Sequence, residues 1–178
     1  SVSAIVRNLA PERINTFPDS PTYGKPISYP NESQVFSILK LENGIAGTLS
    51  INGDSTIQDQ AHFMIYGKKG ILKLTDPNTF GGNVIYLPAQ KDFEDHPTPQ
   101  ILNYGFSYGE NSRGLGPSEM ADAIFEKREN RANAELAVHV LDVIDHMVES
   151  SEKGAFVQVT STCKRPEPMP SYVRRNLF

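Results

Sequence analysis

Glu135, His139, Asp142 and His146 recur at helical spacing in the second half of the chain. Steps of three and four bring carboxylates and imidazoles onto one side of a helix. Carboxylate oxygen and imidazole nitrogen together can ligate a hard or borderline metal ion, which keeps open a metal-dependent hydrolase. The same row is also the ordinary polar side of an amphipathic helix, and no second helix supplies further ligands. The chain is therefore read without a metal site. A second group, Tyr108, Asn111 and Arg113, ends a loop rich in aromatics. A guanidinium beside amide and hydroxyl groups can fork hydrogen bonds onto sugar hydroxyls or a carboxylate, and an aromatic ring can stack on a pyranose. These three are the candidate substrate-binding residues, with carbonyl capping or an ion pair as the competing role for Arg113. Gly114-Leu115-Gly116 opens a helix, but a dinucleotide fingerprint needs a buried strand before it and an acidic residue roughly 20 positions on. Here polar loop precedes it, and Glu119 occupies the third glycine's place. No phosphate-loop pattern occurs either. Cys163 has no base near it in sequence and reads as an inert thiol. No catalytic, cofactor-binding or metal-binding residue is assigned.

Two helices must carry the polar row and close the aromatic loop. Pro117 suits a first helical turn, and Met120, Ala123 and Ile124 form a short apolar stripe as far as Lys127. Asn133 is a good N-cap for a longer helix, with Glu135 favourable to the dipole. Leu136, Val140, Val143, Ile144 and Met147 recur along it, supported by Ala137, Leu141 and Val148, and Gly154 ends it. Upstream the period falls to two. Val2 to Asn8, Ser33 to Leu41, Ile45 to Ile51, Ala61 to Gly67, Gly70 to Asp76 and Asn83 to Pro88 all suit strands. Glu42-Asn43-Gly44 offers a pair able to take positive φ, and Gly67-Lys68-Lys69-Gly70 is a short reversal. The expectation is a meander in one sheet, closed after Gly154 by a last strand, AFVQVTST. Ile45, Leu49 and Ile51 should lie against the helices. Ala46, Thr48 and Ser50 give the other face a semi-polar character suited to a subunit interface, or simply to water. The proline-rich stretch after the first strand reads as an extended arm, and residues 89–116 as a long loop without period.

The 178 residues suit one domain, here taken as 1–178. A net charge of −4 speaks against nucleic acid or anionic membrane partners. No apolar run is long enough to span a membrane. One cysteine and four histidines exclude an intrachain disulfide and any cysteine-based zinc site. The cytoplasm is the natural reading. The chain opens inside a strand pattern with no initiator methionine, which suggests an excised domain.

The segments from Gly24 to Asp54 and from His62 to Leu87, and then the run from Asn111 to Pro170, resemble in order and wording the C-terminal half of the Gfo/Idh/MocA oxidoreductases. The resemblance rests on an ENG-like hairpin at Glu42 to Gly44 and on Tyr66, Gly67, Gly70, Asp76, Pro77, Asn78, Phe80 and Gly82. It implies an α+β domain: an open, mainly antiparallel sheet with helices packed on one face, the other face commonly joining dimers or tetramers. It implies a partner that is missing here, the N-terminal Rossmann domain, which would bring NAD or NADP and the Glu-Lys-Pro lysine. None is expected on this chain, nor is activity. The function so implied is substrate binding and oligomerisation in an NAD(P)-dependent dehydrogenase of a sugar, polyol or related carbohydrate. A non-enzymatic carbohydrate-binding or scaffold module built on the same sheet stays open.

Overall fold

Alternation of apolar and small residues makes Val2–Arg7 a strand, β1, with Val2 and Ala4 buried on one face and Ile5 and Arg7 exposed on the other. The computed structural model describes residues 1–55, 61–102 and 112–169. They are mixed α+β, with antiparallel sheets and two helices, and no strand–glycine turn–helix unit of the Rossmann kind among the described residues. The chain divides into two compact units, Ser1–Thr56 with Asn133–Arg165, and Ile57–Ala132 with Pro166–Phe178.

In the first unit β1 pairs with β4 (Gln34–Lys40), and β4 with β5 (Ala46–Asn52), both antiparallel. The hairpin between β4 and β5 needs only one positive φ, at Gly44, while Asn43 caps the turn by accepting from the Ile45 amide. The long helix α2, Ala134–Lys153 (numbered after α1 of the second unit), packs on β1 and buries Met147 against Val2 and Ala4. Its end seals the free edge of β1. The Ala4 amide donates to Ser150 Oγ at 3.0 Å and the Val6 amide to Ser151 Oγ at 2.9 Å, while Ser150 donates onward to the Ala155 carbonyl at 2.6 Å. Both predicted boundaries of α2 hold. Asn133 accepts from the Leu136 amide, and Gly154 takes the left-handed conformation that ends the helix. The expected last strand does not form as a strand: only Val157 bridges to Val2, because serine hydroxyls rather than a neighbouring backbone satisfy Ala4 and Val6. The proline-rich arm folds back as a two-stranded hairpin, β2 (Glu12–Ile14) with β3 (Pro26–Ser28). Its tip is held by buried Asn15, which donates to Ser20 and Thr22 and accepts from the Phe17 amide.

In the second unit β6 (Phe63–Gly67), β7 (Gly70–Leu74), β8 (Val84–Pro88) and β9 (Gln100–Leu102) form an antiparallel meander. The single expected meander is thus two separate ladders, with residues 56–60 between them outside the described set. Strand β9 falls where no period was read, being only three residues long. At Gly70, φ is +144° and an added Cβ would stand 2.2 Å from the Leu87 carbonyl oxygen, so the reversal after Lys69 admits no side chain. Helix α1 spans Leu115–Glu126 and ends on Lys127 at φ 54°, a left-handed residue that is not glycine.

A third expectation fails in an instructive way. Leu49 and Ile51 do share the inward face, opposite Ser37 and Val35, but they are 37% and 50% exposed. Helix α2 lies over β1, two strands away, and does not reach them.

Candidate functional site

Of the three residues expected to meet substrate, Tyr108 and Asn111 lie outside the described residues. Arg113 is exposed in the turn before α1 and donates from Nη2 to Asn78 Oδ1 at 2.8 Å. Asn78 sits in a turn closed by its own amide donating to Asp76 Oδ1 at 2.8 Å. The arginine is therefore braced on the Asp76-Pro77-Asn78 turn, which orients its planar fork but takes part of its donor set.

The polar side of α2 is engaged with the segment after Gly154. Ser161 Oγ lies 2.8 Å from His139 Nδ1 and 2.5 Å from Asp142 Oδ2. Asp142 is held below the usual carboxylate range, first by the Ser161 hydroxyl and further by His146 and His139, against the opposing cost of desolvation. An ionised carboxylate only accepts, so the single Ser161 proton points to Asp142, and His139 must carry its proton on Nδ1 to donate to Ser161. The wiring is the reverse of a nucleophilic serine, where the imidazole takes the hydroxyl proton. His146 Nδ1 lies 2.6 Å from the Asp142 carbonyl and 3.2 Å from its Oδ1. Glu135 takes no part in this network, and no group of three or more metal-ligating side chains occurs among the described residues. Beside the network lies a cleft of about 1050 Å³, with Val2, Leu39 and Val143 among its apolar lining and Lys40, Ser161 and Cys163 among its polar lining.

Sequence reasoning missed the most heavily buried charge among the described residues. Glu119 in α1 is 7% exposed and receives both Nη1 and Nη2 of Arg128 at 2.6 and 2.9 Å. Arg131 adds Nη1 at 2.8 and 2.9 Å to the two carboxylate oxygens and donates from Nε to the Glu167 carbonyl at 2.9 Å. Donation by Arg128, then by Arg131, outweighs desolvation and lowers the Glu119 pKa to about 2. A carboxyl so acidic holds no proton near neutral pH, so it fixes structure rather than serving as a general acid. A carboxylate followed nine and twelve residues later by arginines was the available signal.

At the start of α1 an added Cβ at Gly114 or Gly116 would meet nothing within 4 Å, so no packing within the chain requires glycine there. The described residues thus offer oriented hydrogen-bonding groups and an apolar-floored cleft, without a nucleophile paired to a base.

The chain matches the family described as "Oxidoreductase family, C-terminal alpha/beta domain" over residues 2–159. No curated protein matches it. Among solved structures it is similar to levoglucosan dehydrogenase in complex with NADH and L-sorbose, at 16% identity and TM-score 0.66, covering 90% of this chain and 44% of that one. An NAD binding oxidoreductase from Klebsiella pneumoniae gives 14% identity and TM-score 0.66, with 90% and 45% covered. An oxidoreductase from Agrobacterium radiobacter, in complex with NAD+, L-tartaric acid and magnesium, gives 12% and 0.57, with 89% and 42% covered. At such identities the likeness shows the fold, and the chain spans less than half the length of these structures.

Proposed function

The chain belongs to the Gfo/Idh/MocA oxidoreductase family as its C-terminal α/β domain, and from that premise we propose that it is the substrate-facing and subunit-joining part of an NAD(P)-dependent dehydrogenase of a sugar or polyol. By itself it neither holds the dinucleotide nor turns over substrate. The observation that carries this reading is the match over residues 2–159 by a chain spanning under half of its solved relatives. A carbohydrate substrate is supported by the name of one relative, levoglucosan dehydrogenase. In such an enzyme a hydride passes from a carbinol carbon to the nicotinamide, and no residue of this chain is assigned to that transfer.

Arg113, braced by Asn78, acts with Tyr108 and Asn111 in meeting sugar hydroxyls. The outward face of β1 and β4 joins two subunits. There Ile5, Phe36 and Ile38 are 52%, 45% and 50% exposed, with Ile5 directly opposite Phe36, an apolar cluster suited to a two-fold contact.

Titration calorimetry of NADH into the 178-residue chain tests the first half of the proposal, and absence of heat is expected. Specific binding at micromolar NADH overturns it. For the second half, NAD(P) reduction by the full-length parent is followed over a panel of aldoses, anhydrosugars and polyols. Turnover of at least one is expected, and inactivity across the panel counts against the substrate class.

A further inference from the structure

Asparagine followed by glycine occurs twice in the chain, at Asn43-Gly44 and at Asn52-Gly53. The first pair turns the chain into β5 and the second leads out of it, and all four residues are exposed. Such a pair carries its own electrophile and nucleophile. The side-chain amide carbon, Cγ, can be attacked by the next backbone nitrogen, and a glycine has no Cβ to stand in the way.

The two carboxamides are held alike. Asn43 Oδ1 accepts from the Ile45 amide at 3.1 Å, and Asn52 Oδ1 from the Asp54 amide at 3.0 Å. The attacking nitrogens differ. The Gly44 amide donates to the Leu41 carbonyl at 3.1 Å, a bond internal to the turn. An added Cβ at Gly44 would meet nothing within 4 Å, so a ring can close there without displacing a neighbour. The Gly53 amide donates at 2.7 Å to the carbonyl of Ser33, which is 4% exposed, and an added Cβ would stand 3.1 Å from that same oxygen. Ser33 is itself tied down: its amide donates to the Arg7 carbonyl at 2.9 Å and its hydroxyl to Asp54 Oδ2 at 2.7 Å. Closing a five-membered ring through Cβ also forces the asparagine ψ out of the extended range. Asn52 is paired with Gln34 in the β4–β5 ladder and would have to leave it, whereas Asn43 sits in the reversal, beyond the last pair, Lys40 with Ala46.

We propose that Asn43 is a site of spontaneous deamidation and isoaspartate formation, and that the sheet protects Asn52 from the same reaction. The Gly44 nitrogen bonds to Asn43 Cγ, and its proton passes through solvent to the side-chain nitrogen. The bond from Cγ to that nitrogen breaks and ammonia departs, leaving a succinimide. Water then adds to one ring carbonyl. Breaking the ring at Cγ gives aspartate, and breaking it at the main-chain carbon gives isoaspartate, whose backbone runs through Cβ. Nothing is oxidised or reduced, and water is the only co-reactant. Either product sets a carboxylate beside Glu42 on the rim of the cleft that His139 and Ser161 also line. Isoaspartate in addition lengthens the reversal by a backbone atom.

The test ages the 178-residue chain in mildly alkaline buffer, folded and in urea, and follows both sites by peptide mass spectrometry. Isoaspartyl methyltransferase reports the isoaspartate. In the folded chain Asn43 should convert at least about 10-fold faster than Asn52, whose reaction waits on opening of the strand end, and isoaspartate should be among the products. In urea the two rates should converge, because only the shared dipeptide then counts. Asn43→Gln, which would need a larger ring, should abolish the early conversion. Equal rates in the folded chain overturn the proposal, as does conversion of Asn43 to aspartate alone, the mark of direct hydrolysis. A gap that persists in urea overturns the protection by the sheet, and early conversion that survives Asn43→Gln overturns the assignment to Asn43.

Discussion

Each unit has a buried polar side chain that ties separate segments within it. Ser150 is fully buried and joins the Ala4 amide to the Ala155 carbonyl. Ser150→Ala strands a donor and an acceptor without water, and should lower stability by about 2–3 kcal/mol, measured by urea unfolding. An effect within experimental error would mean that the strand edge finds other partners. Glu119 is the counterpart in the second unit. Its pKa falls from 4.5 to about 2 on folding, so its contribution is present above the unfolded value and disappears as pH drops through the folded one. Glu119→Gln should therefore cost about 2–3 kcal/mol at pH 7, allowing for the partial exposure of both arginines, and almost nothing near pH 2. A loss independent of pH would refute the ion-pair account. His139 offers a spectroscopic check: nitrogen-15 shifts should place its proton on Nδ1. The Nε2 tautomer would show that Ser161 donates to the imidazole after all. The role of Ser150 was not legible in the sequence, because its partner Ala4 stands 146 positions away, whereas the spacing of Arg128 and Arg131 was a signal for Glu119 that went unread.

At the scale of elements the sequence was more informative. The long helix was readable to the residue at both ends, because Asn133 and Gly154 act on their own neighbouring backbone. Asn133→Ala should cost about 1 kcal/mol. Lys127→Gly should instead stabilise by up to about 1 kcal/mol, since Lys127 sits at φ 54° where a Cβ is crowded. Thermal melts of the two variants moving in the same direction would contradict this account. Strands with strict alternation were equally plain. What alternation left out was coverage. It put Leu49 and Ile51 on the correct face, but which strand a helix lies over is decided by packing, not by period. Likewise the segment after Gly154 has the composition of a strand, yet its would-be ladder partners are taken by serine hydroxyls.

For the whole molecule, fold class and family were legible because ordered fragments of weak likeness added up over most of the chain. Of the three residues expected to meet substrate, Tyr108 and Asn111 lie outside the described residues, and Arg113 is the one whose surroundings are given. Among the described residues, the buried apolar set of the first unit is Val2, Ala4 and Met147.

Strand β5 ends its sheet, with β4 on one side and no strand on the other among the described residues. Its sequence, AGTLSIN, holds neither charge nor proline, the two devices by which exposed edges ordinarily refuse a newcomer. Held at high concentration, the chain should stack edge to edge into fibrils that bind thioflavin T, and Thr48→Lys should delay them. A flat fluorescence trace in both proteins would show that this border is guarded after all.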